Sequence, residues 1–172
     1  MRASSPARSF FHSAGRTTEA QMPRTLFEPA AAADVQSRLR ALTPAHQRQW
    51  GKMTLPQALA HCSAAMEMAV DDTRPKRMMI GRVIGPLIRR LALGNERPIK
   101  KNSPTAPNLL IRDDRNFEAE RARLGVLVNR FATGAEAKCT RHPHPLFGSM
   151  TPDQWAELMY KHIDHHLRQF SA

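Results

Sequence analysis

The chain has 172 residues and a net charge of +11, with 41% apolar and 24% charged residues. This length suits one domain with a sizeable core, and the composition is that of an ordinary globular protein. No stretch reaches the ~20 uninterrupted apolar residues of a transmembrane helix, which argues against a membrane-spanning protein. Two cysteines are too few for a disulfide framework or a cysteine-based zinc site, and they fit a reducing, cytoplasmic location.

The positive charge is concentrated in one segment. Residues 74–101 contain nine basic residues and one acidic residue, whereas the remainder of the chain is nearly neutral. A nucleic-acid-binding protein more often spreads its charge over a docking face. The sequence therefore disfavours a DNA-associated factor, which only the total charge suggests and which a strongly salt-dependent DNA affinity would support.

Residues 1–22 are predicted to be a disordered N-terminal extension, and residues 23–172 a single helical domain. The first 21 residues are rich in Ser, Arg and Ala and show no clear apolar period. They lack the apolar region of a secretory signal, although Arg and Ser enrichment with a single acid also fits a transit peptide. Of these two interpretations, the sequence favours the extension.

Four helices are predicted after this segment from apolar periodicity and capping residues. Their expected bounds are residues 29–42, 55–70, 117–131 and 152–170. Thr54 with Gln57, and Thr151 with Gln154, have the spacing of a capping box at the start of the second and fourth helices. Alternating strand patterns are absent from the sequence. We predict an all-α four-helix bundle with a long crossover between the second and third helices.

The crossover covers residues 72–115, and a connection of this length must contain structure of its own. We predict two short helices there, at residues 80–84 and 86–91, in a segment that Gly81, Gly85 and Pro86 make jointed. Apolar residues recur at helical spacing between arginines. The segment can therefore pack as a simple crossover, cover the mouth of the bundle with its cations toward an anionic substrate, or lie on a membrane surface. The sequence favours membrane contact least.

The last predicted helix carries three of the eight histidines within residues 162–166. At ~100° per residue, His162 and His166 fall in the middle of the inward stripe and His165 falls at its edge. Two histidines at positions i and i+4 can direct both imidazoles at one cation. His61 on the second helix is flanked by alanines, which would leave a cavity beside its ring. A cavity with three histidines is typical of an open metal site, in which water or substrate completes the coordination.

The residues alone leave another interpretation open. His61 could be a core histidine whose ring nitrogens are satisfied by neighbours. The C-terminal histidines could form a solvated helix end, where protonated rings favour the negative end of the dipole.

Four further residues are candidates for the site. His144 precedes the last helix and is the candidate catalytic acid or base, or a fourth metal ligand. Gln169, His165 and Trp50 are candidates to orient a ligand or to line the pocket. Cys62 lies beside His61 in sequence but about 100° around the helix, and it is predicted to be a buried, inert thiol.

Several motifs are shared with a known superfamily. They are LAHC at residues 59–62, KNSPTAP at 101–107, HPLFG at 144–148 and YKHIDHHLRQF at 160–170. With them, the chain resembles the DinB/YfiT-like superfamily of metalloenzymes, and within it a branch of unknown function, over about residues 24–171. The resemblance implies a four-helix bundle with His61, His162 and His166 as metal ligands. Related members are transferases or isomerases that depend on a low-molecular-weight thiol.

We predict a divalent-metal-dependent enzyme, either a thiol-dependent transferase or a hydrolase, with one zinc, nickel or iron ion per chain. The expected partner is a small-molecule substrate, anionic or a low-molecular-weight thiol, rather than nucleic acid or a membrane. The sequence leaves room for a homodimer. The alternative is a non-catalytic metal- or ligand-binding protein with the same fold.

Overall fold

A computed structural model of the chain describes residues 22–172, and within them it contains five α-helices and one short 3-10 turn. The helices are α1 (Pro29–Ala41), α2 (Leu55–Ala69), α3 (Met79–Ala92), α4 (Phe117–Lys138) and α5 (Pro152–Gln169), and the 3-10 turn is Pro107–Leu109. The all-α prediction is confirmed for these residues. The extension predicted for residues 1–22 lies, except for Met22, outside the described part of the chain. Among the described helices, none has the length and apolar character needed to cross a bilayer.

Four of the helices, α1, α2, α4 and α5, pack around one hydrophobic core. Its largest completely buried side chains include Trp155, Phe131, Phe170, Leu39, Met66, Leu124 and Ile163. Burial of each such side chain stabilises the fold by roughly 1.5–3 kcal/mol. Helix α2 is buried on nearly every side because it is apolar almost all round. Its contact with α5 brings His61 opposite the C-terminal histidines.

Both predicted capping boxes are present. The Thr54 hydroxyl accepts from the Gln57 backbone N–H at 3.4 Å, and Gln57 Oε1 accepts from the Thr54 backbone N–H at 3.0 Å. Thr151 and Gln154 repeat the arrangement at 3.2 and 3.1 Å. Each box satisfies two backbone donors that a helix start would otherwise leave free. The two helices that carry the histidine cluster therefore begin where the sequence predicted.

The crossover contains one helix, α3, where two short helices were predicted. Pro86 lies inside α3 without ending it. Proline removes the hydrogen bond to the carbonyl of Arg82, but both residues are exposed, so water can satisfy that carbonyl. The predicted joint at Gly85 and Pro86 is therefore wrong.

The third helix of the bundle, α4, continues beyond its predicted end at Phe131. It is capped by Asn116, whose side chain accepts from the Ala119 backbone N–H at 2.9 Å. Ala135 departs from helical geometry, with φ 43° and ψ −141°, and a last turn ends at Lys138. The connection between α4 and α5 therefore covers only residues 139–151. It contains a tight turn in which His144 and Gly148 exchange two backbone hydrogen bonds, at 2.9 and 3.0 Å.

Candidate metal centre

Three imidazoles from two helices converge inside the bundle. One ring nitrogen each from His61 on α2 and from His162 and His166 on α5 lie within 4.8 Å of one another. His61 is buried and the other two are half-buried. Ala58 and Ala65, on the same face of α2 as His61, are buried, and such small side chains leave room for the rings of α5 to approach. This geometry can hold a metal ion.

The orientation of His61 is fixed by the backbone of the 3-10 turn. Its Nδ1 donates a hydrogen bond to the carbonyl oxygen of Leu109 at 2.8 Å. With the proton on Nδ1, Nε2 carries the lone pair and faces the cluster. His61 Nε2 lies 2.7 Å from His162 Nε2, which we assign as a hydrogen bond donated by His162, following the network of neighbouring partners. To bind an ion through Nε2, His162 would adopt its other tautomer, with the proton on Nδ1.

His166 is held by a chain of polar contacts that reaches the surface. Its Nδ1 donates to Gln169 Oε1 at 2.8 Å. Gln169 in turn donates its amide N–H to the Trp50 carbonyl oxygen at 2.6 Å, which fixes which end of the amide faces the ring. The backbone carbonyl oxygen of Gln169 also accepts a hydrogen bond from the Gln49 backbone N–H at 2.8 Å. His166 Nε2 is thereby left as a free lone pair beside His61 and His162.

The electrostatics of the cluster favour neutral rings. Burial lowers the pKa of His61 and drives the pKa of His162 well below its ordinary value. Burial, assisted by the neighbouring His61, lowers the pKa of His166 to about 3. All three rings are therefore uncharged at neutral pH, which is the form in which imidazole binds a metal ion. The donor set thus fits a divalent transition metal.

His165 and Trp50 stand beside this cluster and line a surface cavity of about 600 Å³. The His165 ring is 5.1 Å from the His166 ring and 5.6 Å from the Trp50 ring, measured between centroids. The ammonium group of Lys101 lies 4.3 Å above the centroid of the Trp50 ring. The cavity is predominantly cationic, since only Glu96 and Asp164 oppose its basic lining residues. These are Arg24, Arg97, Lys100, Lys101, Lys161 and Arg168.

His144 lies in the turn before α5 and outside the three-nitrogen cluster. Its Nδ1 accepts from the backbone N–H groups of Leu146 and Phe147, each at 3.1 Å. Its ring stacks on Phe147 and lies 5.3 Å from the Trp155 ring, and burial lowers its pKa to about 4. These contacts shape the turn, and an acid–base or ligand role for His144 stays a prediction.

The two cysteines are free thiols. Burial raises the pKa of Cys62, and burial together with nearby carboxylates raises the pKa of Cys139 to about 11. Both therefore stay protonated at neutral pH and are weak nucleophiles. A thiol reaction at this site would need a thiol from outside the chain.

One contributor to the cluster could not be predicted from residue types. The acceptor that orients His61 is a backbone carbonyl, that of Leu109, and every residue offers such a group. The motif KNSPTAP ends at Pro107, where the 3-10 turn begins. It is the one motif of the sequence analysis that lies close to Leu109, and it does not indicate a contact with His61.

Comparison with known proteins adds a family but no activity. No curated protein and no solved structure gives a significant match to this chain. A family model described as "Protein of unknown function (DUF1569)" matches residues 22–172, which include the whole bundle, α3 and all three histidines. The chain therefore belongs to this family of proteins of unknown function.

Proposed function

We propose that the protein is a divalent-metal-dependent enzyme in which His61, His162 and His166 hold one transition-metal ion. The observation that carries this proposal is the set of three neutral imidazoles with ring nitrogens within 4.8 Å of one another. Two of them are held by hydrogen bonds from the opposite ring nitrogen, to Leu109 and to Gln169. Such support is typical of metal-binding histidines, because it leaves the other ring nitrogen with a lone pair for the ion.

Three protein ligands leave coordination positions for water or substrate, as in catalytic rather than structural metal sites. When bound, the ion would supply Lewis acidity, lowering the pKa of a bound water or thiol or polarising a substrate oxygen. The chain's own contribution is to hold the three imidazoles neutral and oriented, and to limit the access of bulk water through burial of His61.

The reaction that we propose is a thiol-dependent transfer or a hydrolysis, and the metal is zinc, nickel or iron. The thiol reaction is supported by the resemblance to the DinB/YfiT-like superfamily, which we propose as the wider relationship of this family. It also agrees with the protonated state of both cysteines, since the nucleophile would then be a small external thiol.

The cationic cavity beside the cluster is our proposed entrance for substrate. Lys101 and the Trp50 ring would bind an anionic group next to a flat or apolar one. The backbone carbonyl of Trp50 also accepts a hydrogen bond from Gln169, and Gln169 accepts one from His166. Two hydrogen bonds therefore connect the wall of the cavity to one of the three histidines. We expect Lys101→Gln to raise KM for an anionic substrate while leaving kcat unchanged.

The decisive experiment is elemental analysis of protein without a histidine tag, after incubation with zinc, nickel or ferrous iron and removal of the excess. We expect about one ion per chain in the wild type and none in His166→Ala. His46→Ala is the matched control, because His46 lies in the loop after α1 and binds only Thr43. Circular dichroism of each variant establishes that the bundle is folded.

Two results would contradict the proposal. One is a wild-type protein that takes up no ion from any of the three metals. The other is a folded His166→Ala variant that retains a full complement. If metal binds but no small thiol, ester or amide is turned over by the loaded protein, the result favours the alternative of a non-catalytic metal-binding protein.

A further inference from the structure

Helix α3 exposes its apolar face to solvent. Five large side chains follow one another at helical spacing along this face, which we call the apolar face of α3. They are Ile80, Val83, Ile84, Leu87 and Leu91. Val83 is 82% exposed, Leu87 61% and Leu91 66%. Isolated exposed apolar residues are common, but a continuous row on one helix face marks an interaction site.

The opposite side of α3 is fixed to the protein by close backbone contact. Gly81 and Gly85 are buried against the backbone of Leu146, so close that a Cβ on Gly81 would lie 2.6 Å from the Leu146 carbonyl oxygen. The Met78 backbone N–H donates to the Pro145 carbonyl at 3.0 Å, and Arg89 donates to the Ser149 carbonyl. The helix cannot turn its apolar face inward without losing these contacts. The apolar face therefore lies on the surface of the protein.

Basic residues accompany this face along the helix. At ~100° per residue, Arg90 adjoins the face, about 60° from Leu87, whereas Arg82 lies about 140° from Leu87, nearer the glycine side. Arg82 and Arg90 are exposed, and neither forms an ion pair within residues 22–172. The surrounding segment, residues 74–101, has nine basic residues and a single acidic one, Glu96. A partner that covers the apolar face must therefore also accept a high density of positive charge.

A second copy of the chain does not satisfy this condition. Two such segments brought face to face would repel each other. A helix of 14 residues also offers a face of roughly 21 Å by 10 Å. One helix face of this length supplies only part of the ~800 Å² of accessible surface that each partner contributes to a standard stable interface.

Membrane contact is the interpretation that the sequence favours least, but the outward direction of the apolar face changes that balance. We propose that α3 docks the protein onto an anionic lipid bilayer, with the helix axis parallel to the membrane surface. The apolar face would enter the boundary between headgroups and acyl chains, and the arginines on the rest of the helix would bind lipid phosphates and carboxylates. A helix with one apolar face and with arginines on its polar side is typical of such interfacial helices. The site is independent of the histidine cluster and of the proposed activity.

The test is sedimentation of the full-length protein with vesicles of phosphatidylcholine alone or with about one third phosphatidylserine. We expect binding to the anionic vesicles, little binding to the neutral ones, and a marked loss of binding at high salt. Val83→Asp should weaken binding by more than roughly tenfold. Val126→Asp is the matched control, since it makes the same charge change at a valine that is 67% exposed on α4, and it should leave binding largely unchanged. Loss of one cation in Arg82→Gln or Arg90→Gln should weaken binding roughly fivefold.

The proposal is overturned if the wild type does not sediment with anionic vesicles, or if Val83→Asp and Val126→Asp weaken binding equally. Equal binding to neutral and anionic vesicles would also overturn it. Analytical ultracentrifugation without lipid tests the other occupant of this face. A dimer that Val83→Asp dissociates and Val126→Asp does not would assign the face to a second copy, and would overturn membrane docking.

Discussion

Helices α5 and α3 are of similar length and both are amphipathic, but they face the protein in opposite ways. Helix α5 buries Trp155, Ile163 and most of its other residues, including charged ones that are paired. Helix α3 buries only Gly81 and Gly85 and presents its large apolar residues to solvent. A helix is oriented by the face that can approach its neighbours most closely. In α5 that face is bulky and fills the bundle, whereas in α3 it is a pair of glycines against a loop backbone.

This difference separates two kinds of function in one small fold. The inward face of α5 is packed against the other helices of the bundle, so polar groups on it, such as His162 and His166, are held in one geometry. The exterior of α3 has no partner in the described structure, so its apolar and basic residues are available to a surface outside the protein. Mutations that affect one region should therefore leave the other intact, and the following predictions test that separation.

The largest effect on stability is expected at the contact between α5 and the C-terminal end of α3. Glu157 and Lys161 on α5 form an almost completely buried ion pair at 2.8 Å. Glu157 also accepts from the Gly94 backbone N–H at 2.9 Å, and Lys161 donates to the Ala92 carbonyl at 2.9 Å. Glu157→Ala leaves the Lys161 ammonium buried without its partner, so we expect a loss of about 3–5 kcal/mol in the free energy of unfolding, measured by urea denaturation.

The control for this ion pair is Glu118→Ala, which removes an exposed partner of Arg121 and should cost less than ~1 kcal/mol. The double change Glu157→Ala with Lys161→Met should recover much of the lost stability, because no buried charge is left unpaired. Equal costs for Glu157→Ala and Glu118→Ala would show that the C-terminal end of α3 is not held by this pair.

The next effect concerns the metal centre alone. Gln169→Ala removes the acceptor of His166 Nδ1 and frees the ring to rotate or to change its tautomer. Loss of such support typically weakens metal affinity by about 10–100-fold without removing a ligand. Competition with a chelator should show this decrease, while the stoichiometry at saturating metal stays at one ion per chain. Binding of anionic vesicles through α3 should not change. An unaltered affinity would mean that the bond to Gln169 does not orient His166.

The third effect concerns the packing of α3 alone. Alanine normally stabilises an exposed helix position relative to glycine by roughly 0.5–1 kcal/mol. At Gly81 the added Cβ would meet the carbonyl oxygens of Leu146 and Pro145 at 2.6 and 2.8 Å, both backbone atoms that cannot yield easily. We therefore expect Gly81→Ala to lower stability by about 1–3 kcal/mol. Gly125→Ala on α4 is the control, because its Cβ meets only Gln36 Oε1 at 3.5 Å, and it should be neutral or stabilising. Thermal unfolding of both variants tests whether α3 packs against the backbone of Pro145 and Leu146.

The sequence was sufficient to predict the parts of the fold that depend on local signals. Thr54 and Thr151 indicated where α2 and α5 begin, because a capping box involves only residues three apart. The helical period placed His162 and His166 on one inward face, and they do converge with His61. These features depend on spacing along a single helix, which the sequence contains directly.

The orientation of α3 and the carbonyl that supports His61 could not be predicted, since both depend on residues distant in sequence. Gln169 could be named as a candidate from the sequence because it lies three residues from His166 on the same helix. Periodicity indicates that α3 is amphipathic, but it does not determine whether the apolar face points toward the protein or toward solvent. The contact that fixes the orientation of α3 is between Gly85 and Leu146. Gly85 precedes α4 in the sequence and Leu146 follows it, so the two residues are far apart along the chain. Similarly, the carbonyl of Leu109 that orients His61 is 48 positions away and has no side-chain signal.

The turn that carries His144 connects the two regions, because its backbone seats α3 and the His144 ring packs on Trp155 of α5. His144→Ala removes the acceptor of two backbone N–H groups and should lower stability by about 1–2 kcal/mol. His144→Asn places an oxygen near the position of Nδ1 and should recover part of this loss.

The same pair of variants gives a pH test. Burial lowers the pKa of His144 to about 4 in the folded protein, whereas an unfolded histidine titrates near ~6.5. The unfolded chain therefore binds more protons between these two pH values, so this contribution to stability is complete above about pH 6.5 and decreases as the pH falls toward 4. Asparagine does not titrate, so His144→Asn should lose less stability than the wild type between pH 7 and pH 4.5. The remaining buried histidines contribute equally to both proteins, and the difference between the two unfolding curves therefore isolates His144. Parallel curves would mean that the ring can be protonated without opening the turn.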